Sequence, residues 1–131
     1  MLLDTDAYSA LMRGHPVVAA RVRETDRVLL STIVVGELLF GFRCGTRYER
    51  NERDLAMFSR NPYVALVPAT WVTAERFGRI AAALRAKGKP IPTNDIWIAA
   101  HAMETGADLL SFDHHYRDID GLAWVDLSKE G

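Results

Sequence analysis

Short apolar runs recur along this 131-residue chain, separated by longer stretches with helical spacing, and this alternation constrains the fold most. The runs are the Leu-Leu pair before Asp4, "RVLLS" (27–31), "YVALVP" (63–68), "ADLLSFD" (107–113) and "LAWVDL" (122–127). Between them lie "DAYSALMRG", "PVVAARVRE", "TIVVGELLFGFRCG", "TRYERNERDLAMFSRN", "TAERFGRIAAALRAKG" and "TNDIWIAAHAMETG". Pro16 suits a first helical position, and Gly14, Gly88 and Gly106 suit helix ends. Thr73 is read as the cap of the helix whose Phe77, Ile80, Ala81 and Leu84 share one face, and Thr93 or Asn94 as the cap of the next. Strands joined by helices need crossover connections, so the expected fold is an α/β sandwich with a mainly parallel sheet. In such sheets ligands bind beyond the carboxyl ends of the strands.

The length suits one domain, residues 1–131. Hydrophobic residues make up 49% and charged residues 25%, and the formal net charge is −1. That balance suits a globular protein and advertises no polyanion partner, although a local basic stripe remains compatible with it. The single cysteine, Cys44, excludes an internal disulfide and fits a reducing cytoplasm. No apolar run reaches the ~20 residues of a membrane span. No basic segment leading into an apolar stretch opens the chain, so no secretion signal is expected.

Four carboxylates stand out by position. Asp4 and Asp113 follow apolar strands, at the carboxyl edge of the expected sheet. Asp95 lies in the first turn of a helix. Glu37 sits among Val34, Val35, Leu38, Leu39 and Phe40, where an uncompensated charge is costly. Each acid also has an ordinary reading: Asp4, Asp6 and Asp95 as helix-start residues, Asp113 as a turn former, Glu37 as a surface residue. Clustered carboxylates repel one another unless a cation neutralises them, and oxygen-only sites suit hard divalent ions such as Mg²⁺ or Mn²⁺.

The stretches "LLDTDAYS", "LSTIVVGELLFG", "TNDIWIAAHAMETGADLLSFD" and "YRDIDGL" together resemble the PIN-domain ribonucleases, and among them the VapC-type toxins of toxin–antitoxin pairs. They follow the family's order and spacing, and the resemblance covers nearly the whole chain. It implies a PIN-like three-layer sandwich, with a mainly parallel central sheet flanked by helices. It also implies a cytoplasmic, Mg²⁺- or Mn²⁺-dependent endoribonuclease, a homodimer held in check by a small antitoxin. The family's catalytic and metal-binding acids carry over onto Asp4, Glu37, Asp95 and Asp113. Ser111 and Ser31 match its supporting hydroxyl positions. Asp6 stands where Asn is frequent, as a residue that supports the acids or holds water. Val34 replaces a frequent Thr, which touches a supporting hydrogen bond and none of the acids.

Arg43, Arg47, Arg50 and Arg53 recur at three- or four-residue steps, which on one continuous helix makes a stripe able to contact RNA phosphates. A solvated face with a Glu49–Arg53 pair is the competing reading. Lys87 and Lys89 precede Asp95 in a charged loop. Of His114 and His115, adjacent in sequence, a turn role is expected rather than metal ligation. His101 is expected to pack or face solvent. Trp71, Trp97 and Trp124 are read as structural, with base stacking an alternative for Trp97. Two other functions fit part of the pattern. A haloacid-dehalogenase-like phosphohydrolase also opens with an apolar strand and "DTD", but needs a later lysine and a paired acidic motif. A phospho-receiver needs a late-strand lysine that this chain lacks. A catalytically silent PIN-like binding module is the non-enzymatic alternative, against which the intact acids argue.

Overall fold

In the computed structural model, which describes residues 1–129, the helices alternate with strands as the sequence spacing predicts. The strands are β1 (Leu2–Leu3), β2 (Val28–Ser31), β3 (Val64–Val67), β4 (Leu109–Ser111) and β5 (Trp124–Asp126). The helices are α1 (Thr5–Met12), α2 (Pro16–Glu24), α3 (Thr32–Cys44), α4 (Tyr48–Ser59), α5 (Trp71–Lys87) and α6 (Thr93–Thr105). All strand pairs are parallel, in the order β3-β2-β1-β4-β5. Parallel strands covered on both faces must be apolar on both, and Leu2, Leu3, Leu109 and Leu110 are at most 1% exposed. From central β1 the chain winds outward through β2 and β3, then returns to the other side of β1 for β4 and β5. That reversal opens a crevice between the carboxyl ends of β1 and β4, the usual ligand position in open parallel sheets.

Several local expectations change. Thr70, not Thr73, is the N-cap of α5; Thr73 Oγ1 accepts the Thr70 N–H at 3.0 Å and donates to Glu104 Oε1 at 2.5 Å. Pro92 is the N-cap of α6, and no side chain there replaces the expected Thr or Asn cap. The arginine stripe is broken. Helix α3 stops at Cys44 with Gly45 in extended backbone, so Arg43 lies on a different helix from Arg50 and Arg53, and Arg47 caps α4. Trp71 is 86% exposed and so is no core residue. Trp97 stacks on Phe77 at 4.3 Å between α5 and α6, as its structural reading requires. Among the described residues no helix is long and apolar enough to cross a membrane.

Helix α6 is apolar on most sides and lies buried, taking His101 to complete burial. The burial lowers the pKa of this imidazole, favouring its neutral form. Its Nδ1 lies 2.7 Å from Ser31 Oγ. Ser31 ends β2 and caps α3, accepting the Ile33 N–H at 3.0 Å, so its own proton is free for His101. One buried hydroxyl thus ties α6 to the start of α3. Ser31→Ala removes the cap and orphans His101 Nδ1. The expected cost is about 2–4 kcal/mol, read from the urea unfolding midpoint with the slope unchanged.

Candidate active site

Strand β1 ends at Asp4, which is also the N-cap of α1: its Oδ1 accepts the Ala7 N–H at 2.9 Å. Capping and site membership are therefore one role rather than two. Asp4 is 5% exposed, and the Ser111 hydroxyl donates to its Oδ2. Ser111 ends β4, the neighbour of β1, and its oxygen also accepts the Asp113 N–H at 2.9 Å. The hydroxyl therefore joins the carboxyl ends of two adjacent strands and sets the chain direction at Asp113. Strand β4 is shorter than the expected 107–113 run. Asp113 stands just beyond it and caps a 3-10 helix, His114–Asp118, through an Oδ1 bond to the His115 N–H at 2.9 Å.

Helix α6 brings Asp95 to the same edge from its first turn. Asp95 Oδ2 lies 3.2 Å from His115 Nδ1, and that nitrogen lies 3.1 Å from Asp113 Oδ1. Glu37 comes from α3. It takes the Thr5 hydroxyl on Oε1 at 2.6 Å and the Asn94 amide on Oε2 at 3.3 Å. Thr5 follows Asp4 and Asn94 precedes Asp95, so Glu37 is oriented by the immediate neighbours of two other acids. The charge of Glu37 is met here by neutral donors. All four predicted acids meet at one edge. Asp6 is exposed in the first turn of α1 and acts on Asp4 through its negative field.

The electrostatics are those of crowded, partly buried carboxylates. Burial first, and then Asp6 and Asp95, push the Asp4 pKa up to about 7, against the opposing bonds from Ser111 and Ala7. Burial also raises Asp95, with Asp113 and Glu37 adding to the shift and His115 opposing it. The neighbouring Tyr116 is 1% exposed, and its hydroxyl has no hydrogen-bond partner among the described residues. Burial and the fields of Asp4, Asp95, Asp113 and Glu37 all resist its ionisation, so it is a permanent proton donor beside the acids.

This donor set fits a hard divalent ion: carboxylate oxygens held rigidly, too close to share their charge comfortably, beside a buried unpartnered hydroxyl that suits bound water. Asp95, Asp113 and His115 offer ligand atoms within 4.8 Å of one another.

Sequence reasoning missed Thr5, Asn94, His115 and Tyr116. A polar residue flanking each of two acids was the available signal for the first pair. The histidines needed the 3-10 helix, whose roughly three residues per turn send adjacent side chains apart. His114 turns away, to Ser128 Oγ at 2.9 Å and Arg117 Nη2 at 2.8 Å, whereas His115 enters the site. Lys87 bonds the Asp118 carbonyl and the Asp120 carboxylate, both at 2.8 Å. Arg47 and Arg50 join Arg13 along a groove between α1 and α4, and Arg53 lines the adjoining surface with them.

Comparison with known proteins agrees with this geometry. Residues 1–122 match the PIN domain family. Ribonuclease VapC1 of Haemophilus influenzae (strain R2866) is 32% identical over 133 residues, covering 98% of each chain. The solved VapBC-1 structure from nontypeable Haemophilus influenzae superposes with a TM-score of 0.85 at 30% identity over 97% of each chain. VapBC2 from Rickettsia felis, solved bound to a DNA fragment from its promoter, shares the fold, with a TM-score of 0.84, 23% identity and coverage of 95% of this chain and 96% of that one.

The raised Asp4 pKa makes stability depend on pH. A carboxyl that titrates near its ordinary value when unfolded, but at about 7 when folded, binds its proton more tightly in the native state. The proton's stabilising effect is full below about pH 4; destabilisation sets in there, grows as pH rises towards about 7, and is complete above that. Asp4→Asn keeps a cap-competent oxygen and removes the charge. In metal-free protein the variant should match the parent near pH 4 and exceed it by about 2–4 kcal/mol at pH 8. Denaturant melts in chelator across that range check this; a constant difference would contradict it.

Proposed function

This chain belongs to the PIN-domain family, among its VapC-type members, and on that basis we propose that it is a divalent-metal-dependent endoribonuclease, the toxin of a toxin–antitoxin pair. The observation that carries the reading is the meeting of Asp4, Glu37, Asp95 and Asp113 at the carboxyl edge of β1 and β4. Residues 1–131 act as one PIN domain in the cytoplasm. The comparisons favour neither a haloacid-dehalogenase-like phosphohydrolase nor a silent binding module.

Asp4, Asp95 and Asp113 would hold Mg²⁺ or Mn²⁺, directly or through water, and Glu37 would hold a second ion or orient the attacking water. The ion, when bound, lowers the pKa of water and stabilises charge on the attacked phosphate. The protein does the positioning. Ser111 fixes Asp4 relative to Asp113, Thr5 and Asn94 fix both oxygens of Glu37, and Ser31 supports the start of α3. Asp6 adds negative field at the rim. None of the acids is the nucleophile: water attacks phosphorus, and the ribose oxygen leaves and takes up a proton.

Arg47, Arg50 and Arg53 lie on one helix and its cap, where they can meet RNA phosphates; Arg43, whose guanidinium lies 4.2 Å over the Tyr48 ring, can join them only from α3. Exposed Phe40 (72%), Met57 (60%) and Met12 (46%) supply apolar surface on α3, α4 and α1 for the antitoxin and for a homodimer.

Asp95→Asn and Asp113→Asn should each lower RNA cleavage by about 10²–10³-fold, the equivalent of several kcal/mol of lost transition-state stabilisation. Far-ultraviolet circular dichroism should stay unchanged, and chelator should silence the parent. Cleavage that survives both substitutions, or chelation, would retire the metal-dependent reading. Phe40→Asp should weaken capture of the antitoxin encoded beside this chain at least about tenfold, because a charge then enters an apolar contact. Unaltered capture in a pull-down titration would place that contact elsewhere.

A further inference from the structure

We propose that His115 supplies an imidazole nitrogen ligand to the ion held by Asp95 and Asp113, and that this ligand tilts the site from Mg²⁺ towards transition-series ions such as Mn²⁺. The inference rests on the metal-dependent reading above and adds to it a nitrogen donor in a site otherwise read as oxygen-only.

Three features carry it. The first is spacing. His115 Nδ1 lies 3.2 Å from Asp95 Oδ2 and 3.1 Å from Asp113 Oδ1. Adjacent ligand atoms of an octahedral ion with bonds of about 2.1 Å are separated by about 3.0 Å, so these two separations match ligand–ligand edges meeting at the nitrogen. The second is valence. A ring nitrogen carries at most one proton, and one N–H cannot point fully at two carboxylates from different elements; a cation between the three atoms satisfies all of them at once. The third is orientation. Asp113 Oδ1 already accepts the His115 backbone N–H at 2.9 Å, so the 3-10 helix holds the ring's root against the acids, while the adjacent His114 is drawn to Ser128 and Arg117. The buried Tyr116 hydroxyl, which lies in the field of the same acids and has no partner among the described residues, leaves room for a further polar guest there.

Ligation through Nδ1 requires the ring proton on Nε2. The His115 side chain is 49% exposed, so solvent can serve that N–H. Nitrogen donors suit the later divalent ions better than Mg²⁺, which favours oxygen and gives up its waters reluctantly.

The test uses the full chain, stripped of metal and loaded with Mn²⁺ or Mg²⁺ alone. Pulsed electron paramagnetic resonance of the Mn²⁺ form should show nitrogen-14 modulation from a directly bound imidazole. That modulation should vanish in His115→Ala and persist in His114→Ala. Calorimetry should show His115→Ala losing about tenfold in Mn²⁺ affinity and much less in Mg²⁺ affinity. Mn²⁺ bound without nitrogen modulation would overturn the proposal and leave the metal-dependent reading standing. Equal losses for the two ions would also overturn it, reducing His115 to a residue that orients the carboxylates. Failure of the parent protein to bind either ion would overturn both readings together.

Discussion

The hydrogen bond from Ser111 to Asp4 is the contact on which the rest of the site depends. It closes the carboxyl ends of the two central strands, and both partners serve twice. Asp4 also begins α1 through Ala7, and Ser111 also receives the Asp113 N–H. A carboxylate that is 5% exposed would ordinarily be a liability. Here the burial is offset by two donors, yet they do not return Asp4 to an ordinary acidity. The metal-free site is poised between needing protons and needing a cation. Stability is withheld where the acids crowd together, as expected where function and stability compete.

The second organising contact is Ser31 with His101. Both are fully buried, and they join the element that carries Glu37 to the element that carries Asp95. Together the two serine contacts fix four elements: β1 against β4, and α3 against α6. The acids stand at the ends of a framework tied together by buried neutral hydroxyls. Thr5 and Asn94 extend the same principle to Glu37, which is held by uncharged donors rather than by a lysine or arginine that would compete with a metal.

Much of this was legible in the amino-acid order. Apolar runs bounded by Pro, Gly and charged residues marked the strands, because a parallel sheet buried on both faces leaves little room for polar residues. Asp4 and Asp113 stood out at strand ends and Glu37 inside an apolar helix; Asp95, an ordinary first-turn acid by position, joined them through the family resemblance. What failed was local. Thr73 looked like a cap, but the helix starts earlier, at Trp71, and Thr73 serves as the reciprocal partner of Thr70. The arginine stripe assumed a helix that Gly45 interrupts. His115 was unreadable because two adjacent histidines are equivalent in sequence, and only the 3-10 turn capped by Asp113 separates their directions. Propensity speaks to an element's interior; caps and short turns are decided by tertiary partners.

The Ser111–Asp4 bond spans 107 positions in the chain. Asp4 thus leaves the ribosome well before its partner. At about 5–20 residues per second, roughly 5–20 s separate the two during synthesis. Within that interval, a nascent chain that has passed Glu37 but not yet reached Asp95 carries two of the four acids. A message truncated between those two positions yields a protein with half a site. Placing the founding carboxylate after the first strand and its complement on the fourth makes a complete site depend on both halves of the sheet having been made.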